Sequence, residues 1–180
     1  MIKMLCLCGN FVTNETVSSA INIIISTQDL IIYSIHKLFL AISNNIEEEG
    51  LVKLGLYVFG EYSECLLSST VRGPSDEIIT VSEKDLILLL GKINQTKYNN
   101  VSSVKEYLLN CLVKLSVKLS NTLMIKEVFE AESRSYYFEV QQRAVEYKIL
   151  NEKKESNIKL SMFQPMPLSK LTKEDENKYF

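Results

Sequence analysis

Along most of the chain, apolar residues recur three and four positions apart, the spacing that lines one face of a helix. The pattern is clearest over 50–68. There Leu51, Leu54, Val58, Phe59, Tyr62, Cys65 and Leu66 share a face, while Leu56, Gly60 and Leu67 fall nearly opposite. A helix apolar on two sides belongs between neighbours. Gly55 and Gly60 inside it each cost about 1 kcal/mol relative to alanine, and close approach of an adjacent helix backbone is the expected compensation.

The same period predicts helices over the rest of the chain. Thr13 or Asn14 can cap one running to about 26, and 28–43 carries Leu30, Ile31, Ile35, Leu38, Phe39 and Ile42 at helical spacing. Ser82 with Asp85 offers a start for a helix to about 94. Ser103 with Glu106 has the capping-box pattern, in which two side chains satisfy free amides at a helix start. The stripe Val104, Tyr107, Leu108, Cys111, Leu112, Leu115 and Leu119 then follows. Shorter helices are expected over 122–132 and 135–151. Two isoleucine-rich runs have strand propensity. Ile23-Ile24-Ile25 sits inside a helical pattern and is read as helix, and Ile78-Ile79-Thr80-Val81 is read as a loop leading into a helix. The expected fold is all-α: a HEAT- or armadillo-like solenoid of about seven helices, paired in units of roughly 35 to 45 residues. Without a sharp internal repeat, a globular helical bundle is the alternative.

Composition narrows the function classes. The 180 residues are 46% hydrophobic and 23% charged, ordinary for one globular domain. A domain of this length can bury about 70% of its unfolded surface. Twenty basic residues face twenty-two acidic ones for a net charge of −2, which argues against a nucleic-acid partner. The lysines form no polybasic membrane patch, and no run of about 18 apolar residues suggests a membrane span. A cytoplasmic setting is expected. Cys6, Cys8, Cys65 and Cys111 are too scattered for a disulfide framework or a zinc site. The Asn14, Asn94 and Asn100 sequons matter only in a secreted chain.

Candidate chemistry is sparse, and neither catalytic, metal nor cofactor residues are assigned. His36, the single histidine, lies in a helical stretch with no nucleophile signature beside it and is read as structural. The six glycines are spread singly and make no phosphate loop. Glu47-Glu48-Glu49 reads as a solvated turn, because three consecutive carboxylates on a helix cannot face one ion. Asp85 to Leu90 fits an acidic-dileucine sorting signal and Tyr147 to Leu150 a tyrosine-based one, but such signals are read as extended peptides and both strings fall on expected helices.

Three ordered strings carry a family resemblance. Val140-Gln141-Gln142-Arg143-Ala144-Val145-Glu146-Tyr147 resembles the hallmark helix near the trunk C-terminus of gamma- and alpha-adaptins, the large subunits of clathrin adaptors. Leu51-Val52-Lys53 with Gly60-Glu61-Tyr62 is similar to the family's helix ending in Gly-Glu-Tyr or Gly-Glu-Phe. Gly9-Asn10-Phe11-Val12, then Ile32-Tyr33-Ser34 and Ala41, is the third. Gly9-Asn10-Phe11-Val12 and Thr80-Val81-Ser82-Glu83 look gamma-like, whereas Leu51-Val52-Lys53-Leu54-Gly55 looks alpha-like; Ser63-Glu64 and Tyr136-Tyr137-Phe138 depart from the pattern. The favoured subtype is gamma.

The resemblance implies a trunk segment over 1–160, with 161–180, which carries Pro165 and Pro167, as linker or start of hinge. It implies a non-enzymatic scaffold in intracellular transport and cargo sorting at the trans-Golgi network and endosomes. The implied partners are small sigma, beta and mu adaptor subunits, with clathrin reached indirectly and the membrane only through the complex. The similarity covers the distal trunk. The family's contacts to an Arf-type GTPase, phosphoinositide and dileucine cargo lie in the proximal trunk, so no site residue is carried over. An alpha-type endocytic subunit, an unrelated HEAT scaffold such as a transport receptor, and a helical enzyme of new type are the competing readings.

On a helical wheel of about 100° per residue, Tyr137, Val140, Ala144 and Tyr147 form one stripe and Phe138, Val145 and Ile149 another. Gln141 falls between them and is expected to be buried, with Arg143 on the polar side. Apolar residues from Ile2 to Leu7 with no cap also predict a chain that self-associates, since terminal repeats of solenoids need a polar outer face.

Overall fold

A computed structural model describes residues 1–8, 11–26, 28–72, 78–96, 101–153, 159 and 161–164. Gly9 and Asn10 of the third string, Pro74, the Asn100 sequon, Pro165, Pro167 and nearly all of 161–180 therefore lie outside the described residues. Eight helices are described: α1 (Ile2–Cys8), α2 (Asn14–Ser26), α3 (Gln28–Asn44), α4 (Glu49–Ser68), α5 (Glu83–Gln95), α6 (Ser102–Lys118), α7 (Leu123–Glu132) and α8 (Phe138–Glu152). Helices α2 to α8 are the seven expected from the apolar spacing. Helix α1 is additional; it holds Leu5 in the core and packs on α3 and α4.

The loop expected from Ile78 is corrected. The run beginning at Ile78 is not loop throughout, because Ile78–Ile79 (β2) pairs antiparallel with Val71–Arg72 (β1), Val71 opposite Ile79 and Arg72 opposite Ile78. The strand propensity of β-branched residues prevails over these two positions, and the run leaves the ladder at Thr80.

The packing is that of a helical solenoid. Helices α2, α4, α6 and α8 lie side by side, each against the next. A second layer covers them, with α3 on α4 and α2, α5 on α6, and α7 on α8 and α6. Helix α4 is the centre, and Leu51, Val52, Leu54, Leu56, Val58, Phe59 and Leu66 are all fully buried. Both of its apolar sides are thereby used, as the sequence implied. Close approach is real at Gly60, where a Cβ would stand 3.2 Å from the Cys111 Cα of α6. At Gly55 the neighbour is instead the end of the Ile42 side chain on α3.

The helix starts divide. Ser82 Oγ accepts from the Asp85 N–H at 3.3 Å and the Asp85 carboxylate accepts from the Ser82 N–H at 3.0 Å, a complete capping box. Thr13 Oγ1 accepts from the Thr16 N–H at 3.4 Å at the start of α2. The expected box at Ser103 and Glu106 does not form. Helix α6 begins at Ser102 without a side-chain cap; the Ser103 hydroxyl donates instead to Glu49 of α4 at 3.2 Å, and Glu106 faces Arg143.

Candidate interaction surface

Two of the buried polar residues, Glu61 and Ser63, lie on α4, and Glu61 faces α6. Helix α4 kinks at Tyr62 (φ −121°, ψ 25°), and a kink loosens backbone carbonyls in the preceding turn. Lys118 of α6 meets them, its ammonium donating to the Gly60 carbonyl at 3.2 Å and the Glu61 carbonyl at 2.7 Å. Burial holds the Lys118 pKa below its ordinary value, against the opposing pull of Glu64 and Glu61. Glu61 is itself only 3% exposed and pairs through Oε1 with Lys114 of α6. Among the described residues, neither its Oε2 nor the buried Ser63 hydroxyl has a hydrogen-bond partner.

A cavity of about 270 Å³ opens beside this pair, walled by Tyr57, Tyr107 and Tyr147 together with Glu61, Lys114 and Phe163. Burial and then the Glu61 charge push the Tyr57 phenol up to about 12, so it stays protonated at neutral pH. Tyr147 of α8 donates to Asn110 of α6 at 2.6 Å, and its ring lies 6.1 Å from that of Phe129. Burial raises the Cys111 thiol to about 12, which leaves it a packing residue. All four cysteines are free.

The hallmark helix corrects the wheel argument. Val140 and Ala144 are buried and Tyr147 half-buried, but Gln141 is exposed, as are Phe138, Val145 and Ile149. Only the first stripe meets α6 and α7, and nothing described covers the second. Arg143 is not on an open polar face. Its side chain is 28% exposed, with Nη2 at 2.6 Å from Glu139 and 3.8 Å from Glu106 of α6. The wheel ranked residues by neighbouring polarity and carried no information about which side α6 occupies.

The remaining singled-out residues are structural in their surroundings. His36 is 1% exposed, with Nδ1 at 2.9 Å from the Ile32 carbonyl and Nε2 at 3.2 Å from that of Ser69. Glu47-Glu48-Glu49 is not a purely solvated turn: Glu49 begins α4, pairs with the buried Lys53 at 2.7 Å and accepts from Ser103. Lys53 also donates to Asn14 of α2 at 3.1 Å. In the dileucine-like string Leu86, Leu89 and Leu90 are buried on α5, and the tyrosine-like string lies within α8. Neither can be read as an extended peptide without unfolding its helix. Among the described residues no group of three or more His, Cys, Asp or Glu could hold a metal ion, and no helix is long and apolar enough to cross a membrane.

Sequence comparison decides the family. The profile described as "Adaptin N terminal region" matches residues 1–155. The chain belongs to the adaptin N-terminal-region family. Among curated adaptins it is 31% identical over 155 residues to "AP-1 complex subunit gamma" of Dictyostelium discoideum, covering 83% of this chain and 17% of that protein. It is 32% identical over 165 residues to "AP-1 complex subunit gamma-1" of Schizosaccharomyces pombe, covering 88% and 19%. With the protein of that same name from Arabidopsis thaliana it shares 30% over 169 residues, covering 93% and 19%. The adaptin likeness is thus to the gamma type, and the chain spans about a fifth of the length of these relatives. The buried α4–α6 contact is therefore part of an adaptin solenoid, and the exposed apolar stripe of α8 lies on the hallmark helix.

Proposed function

We propose that the chain serves as a scaffold segment of a clathrin-associated adaptor large subunit of the gamma type, in intracellular protein transport and vesicle-mediated cargo sorting. The adaptin match across residues 1–155 carries this reading, and the relatives named as AP-1 gamma subunits favour gamma over alpha. The scaffold works by shape. Two helix layers hold a rigid core, and apolar side chains left on outer faces, such as Phe138 and Ile149 on α8 and Leu7 and Phe11 near the N-terminus, provide area for other subunits. It has no catalysis of its own. Its partners are small sigma, beta and mu adaptor subunits, with clathrin engaged through the assembled complex. Its membrane association is peripheral, at the trans-Golgi network, endosomes and coated vesicles.

Epitope-tagging the chain in its own cells and purifying it under mild salt tests this. Co-purification of sigma-, beta- and mu-type subunits, with juxtanuclear and endosomal staining, is the expected result. A plasma-membrane pattern would instead favour the alpha type, and recovery without any adaptor subunit would contradict the scaffold role.

A further inference from the structure

Helix α4 kinks at Tyr62, and helix kinks have few causes. They arise at proline, at glycine–serine pairs, at π-bulges, or where a side chain enters the hydrogen-bond ladder. Residues 49–68 contain no proline, no glycine beside a serine and no π-helical turn. Lys118 supplies the last cause. Its ammonium donates to the Gly60 and Glu61 carbonyls at 3.2 and 2.7 Å, the acceptors that the amides of Glu64 and Cys65 use in a continuous helix. Lys114, one turn earlier on α6, holds the Glu61 carboxylate, so α6 grips the turn before the bend at two successive positions. Ser63 marks what the bend costs. Its hydroxyl is fully buried and, among the described residues, has no hydrogen-bond partner. A helical serine shielded from water can donate to the carbonyl four residues back, as Ser68 does to that of Glu64 at 2.6 Å. The bend thus leaves unsatisfied a group that a straight helix could pair, and the Lys118 contacts offset that loss.

We infer that Lys118 is a latch that holds the central helix bent at Tyr62, and that without it residues 60–66 run as one continuous helix. The latch sets the direction of the end of α4. Beyond the bend the Ser69 carbonyl lies 3.2 Å from His36 Nε2 of α3, and strand β1 follows at Val71. Lys118 on α6 therefore fixes where the end of α4 meets α3 and where β1 departs. The latch goes beyond the scaffold reading and holds whichever adaptor subunits bind.

Hydrogen–deuterium exchange read by mass spectrometry on the full chain tests it, because peptides are resolved whatever the size of the protein's assemblies. Exchange over 62–68 and over 51–58 is compared in wild type, Lys118→Met, Lys118→Ala and Lys118→Arg. In the two neutral variants exchange over 62–68 should slow about fivefold, the scale of one net hydrogen bond regained, while that over 51–58 does not slow. Lys118→Arg keeps the charge and the donors and should exchange as wild type does. A side chain that merely supports the core gives the opposite sign, since its loss speeds exchange. Unchanged or faster exchange over 62–68 in a folded neutral variant would therefore assign the bend to Gly60 and Ser63 and overturn the latch. Equal slowing over 51–58, or slowing in Lys118→Arg to the same extent, would overturn it too. Circular dichroism verifies folding, and either neutral variant that folds decides. Loss of the fold in both would also overturn the latch, because Lys118 would then be a general support of the core.

Discussion

Gly60 and Gly91 are both interior helical glycines, yet they face opposite surroundings. A Cβ at Gly60 would press on the backbone of α6 at 3.2 Å, whereas one at Gly91 of α5 would meet nothing within 4 Å. Alanine is favoured over glycine within a helix by about 1 kcal/mol. Gly91→Ala should therefore raise stability by about 0.5–1 kcal/mol. Gly60→Ala should lower it, since α4 and α6 must separate to admit the methyl group; urea melts of the two variants check the opposite signs. A second pair at this scale is Gln141 and Arg143. Exposed Gln141 should tolerate alanine to within about 0.5 kcal/mol, while Arg143→Ala breaks ion pairs to Glu139 and Glu106 and should cost about 1 kcal/mol. Thermal melts giving the reverse order would contradict the packing of α8. The sequence pointed to both residues of the hallmark string but inverted their roles, because a wheel shows which residues share a side and not which side a distant helix covers.

Helices were legible wherever one element carried its own signal. The box at Ser82 and Asp85 is local, and it forms. The box at Ser103 and Glu106 was equally plausible, but both side chains are drawn to residues on other helices, Glu49 and Arg143. The short hairpin at Ile78 was missed because two paired residues barely alter a pattern. Removing the real cap through Ser82→Ala should cost about 1 kcal/mol at neutral pH. Hydrogen bonds from the Ser82 side chain, then its backbone, hold the Asp85 carboxyl below its ordinary value of 3.8. The folded form thus takes up a proton less readily than the unfolded one. The associated stability is complete above that value and is lost as pH falls through the lowered folded one. The gap between the urea midpoints of wild type and Ser82→Ala should accordingly narrow as pH is taken below 3.8, without closing, because the Asp85 N–H bond to Ser82 Oγ does not titrate. Between elements, Lys105 of α6 donates to both oxygens of Glu132 of α7, at 2.7 and 2.9 Å, with side chains 12% and 11% exposed. Sequence reading had no access to this pair across 27 residues. Lys105→Met or Glu132→Leu alone should cost about 3 kcal/mol by stranding the other charge, and the double variant should recover much of that loss. Additive losses would show that the two charges are not coupled.

At the scale of the whole molecule, the helix layers end on apolar side chains. Met4, Leu7 and Phe11 are 65%, 86% and 94% exposed toward the N-terminal end, and Phe138 is 75% exposed on α8. Unlike surfaces at two ends of one chain make head-to-tail contacts that need not close, so association would grow with concentration. The same surfaces are available to other adaptor subunits in the proposed scaffold. In the proposed scaffold the solenoid is completed by partners, and light scattering on size-exclusion fractions tests this. The chain should be followed alone over a range of concentrations and after co-expression with sigma-, beta- and mu-type subunits. Alone, its mass should exceed that of the 20.6 kDa chain and rise with concentration; with partners it should resolve into one stoichiometric complex. A stable, monodisperse monomer that ignores the adaptor subunits would contradict the account.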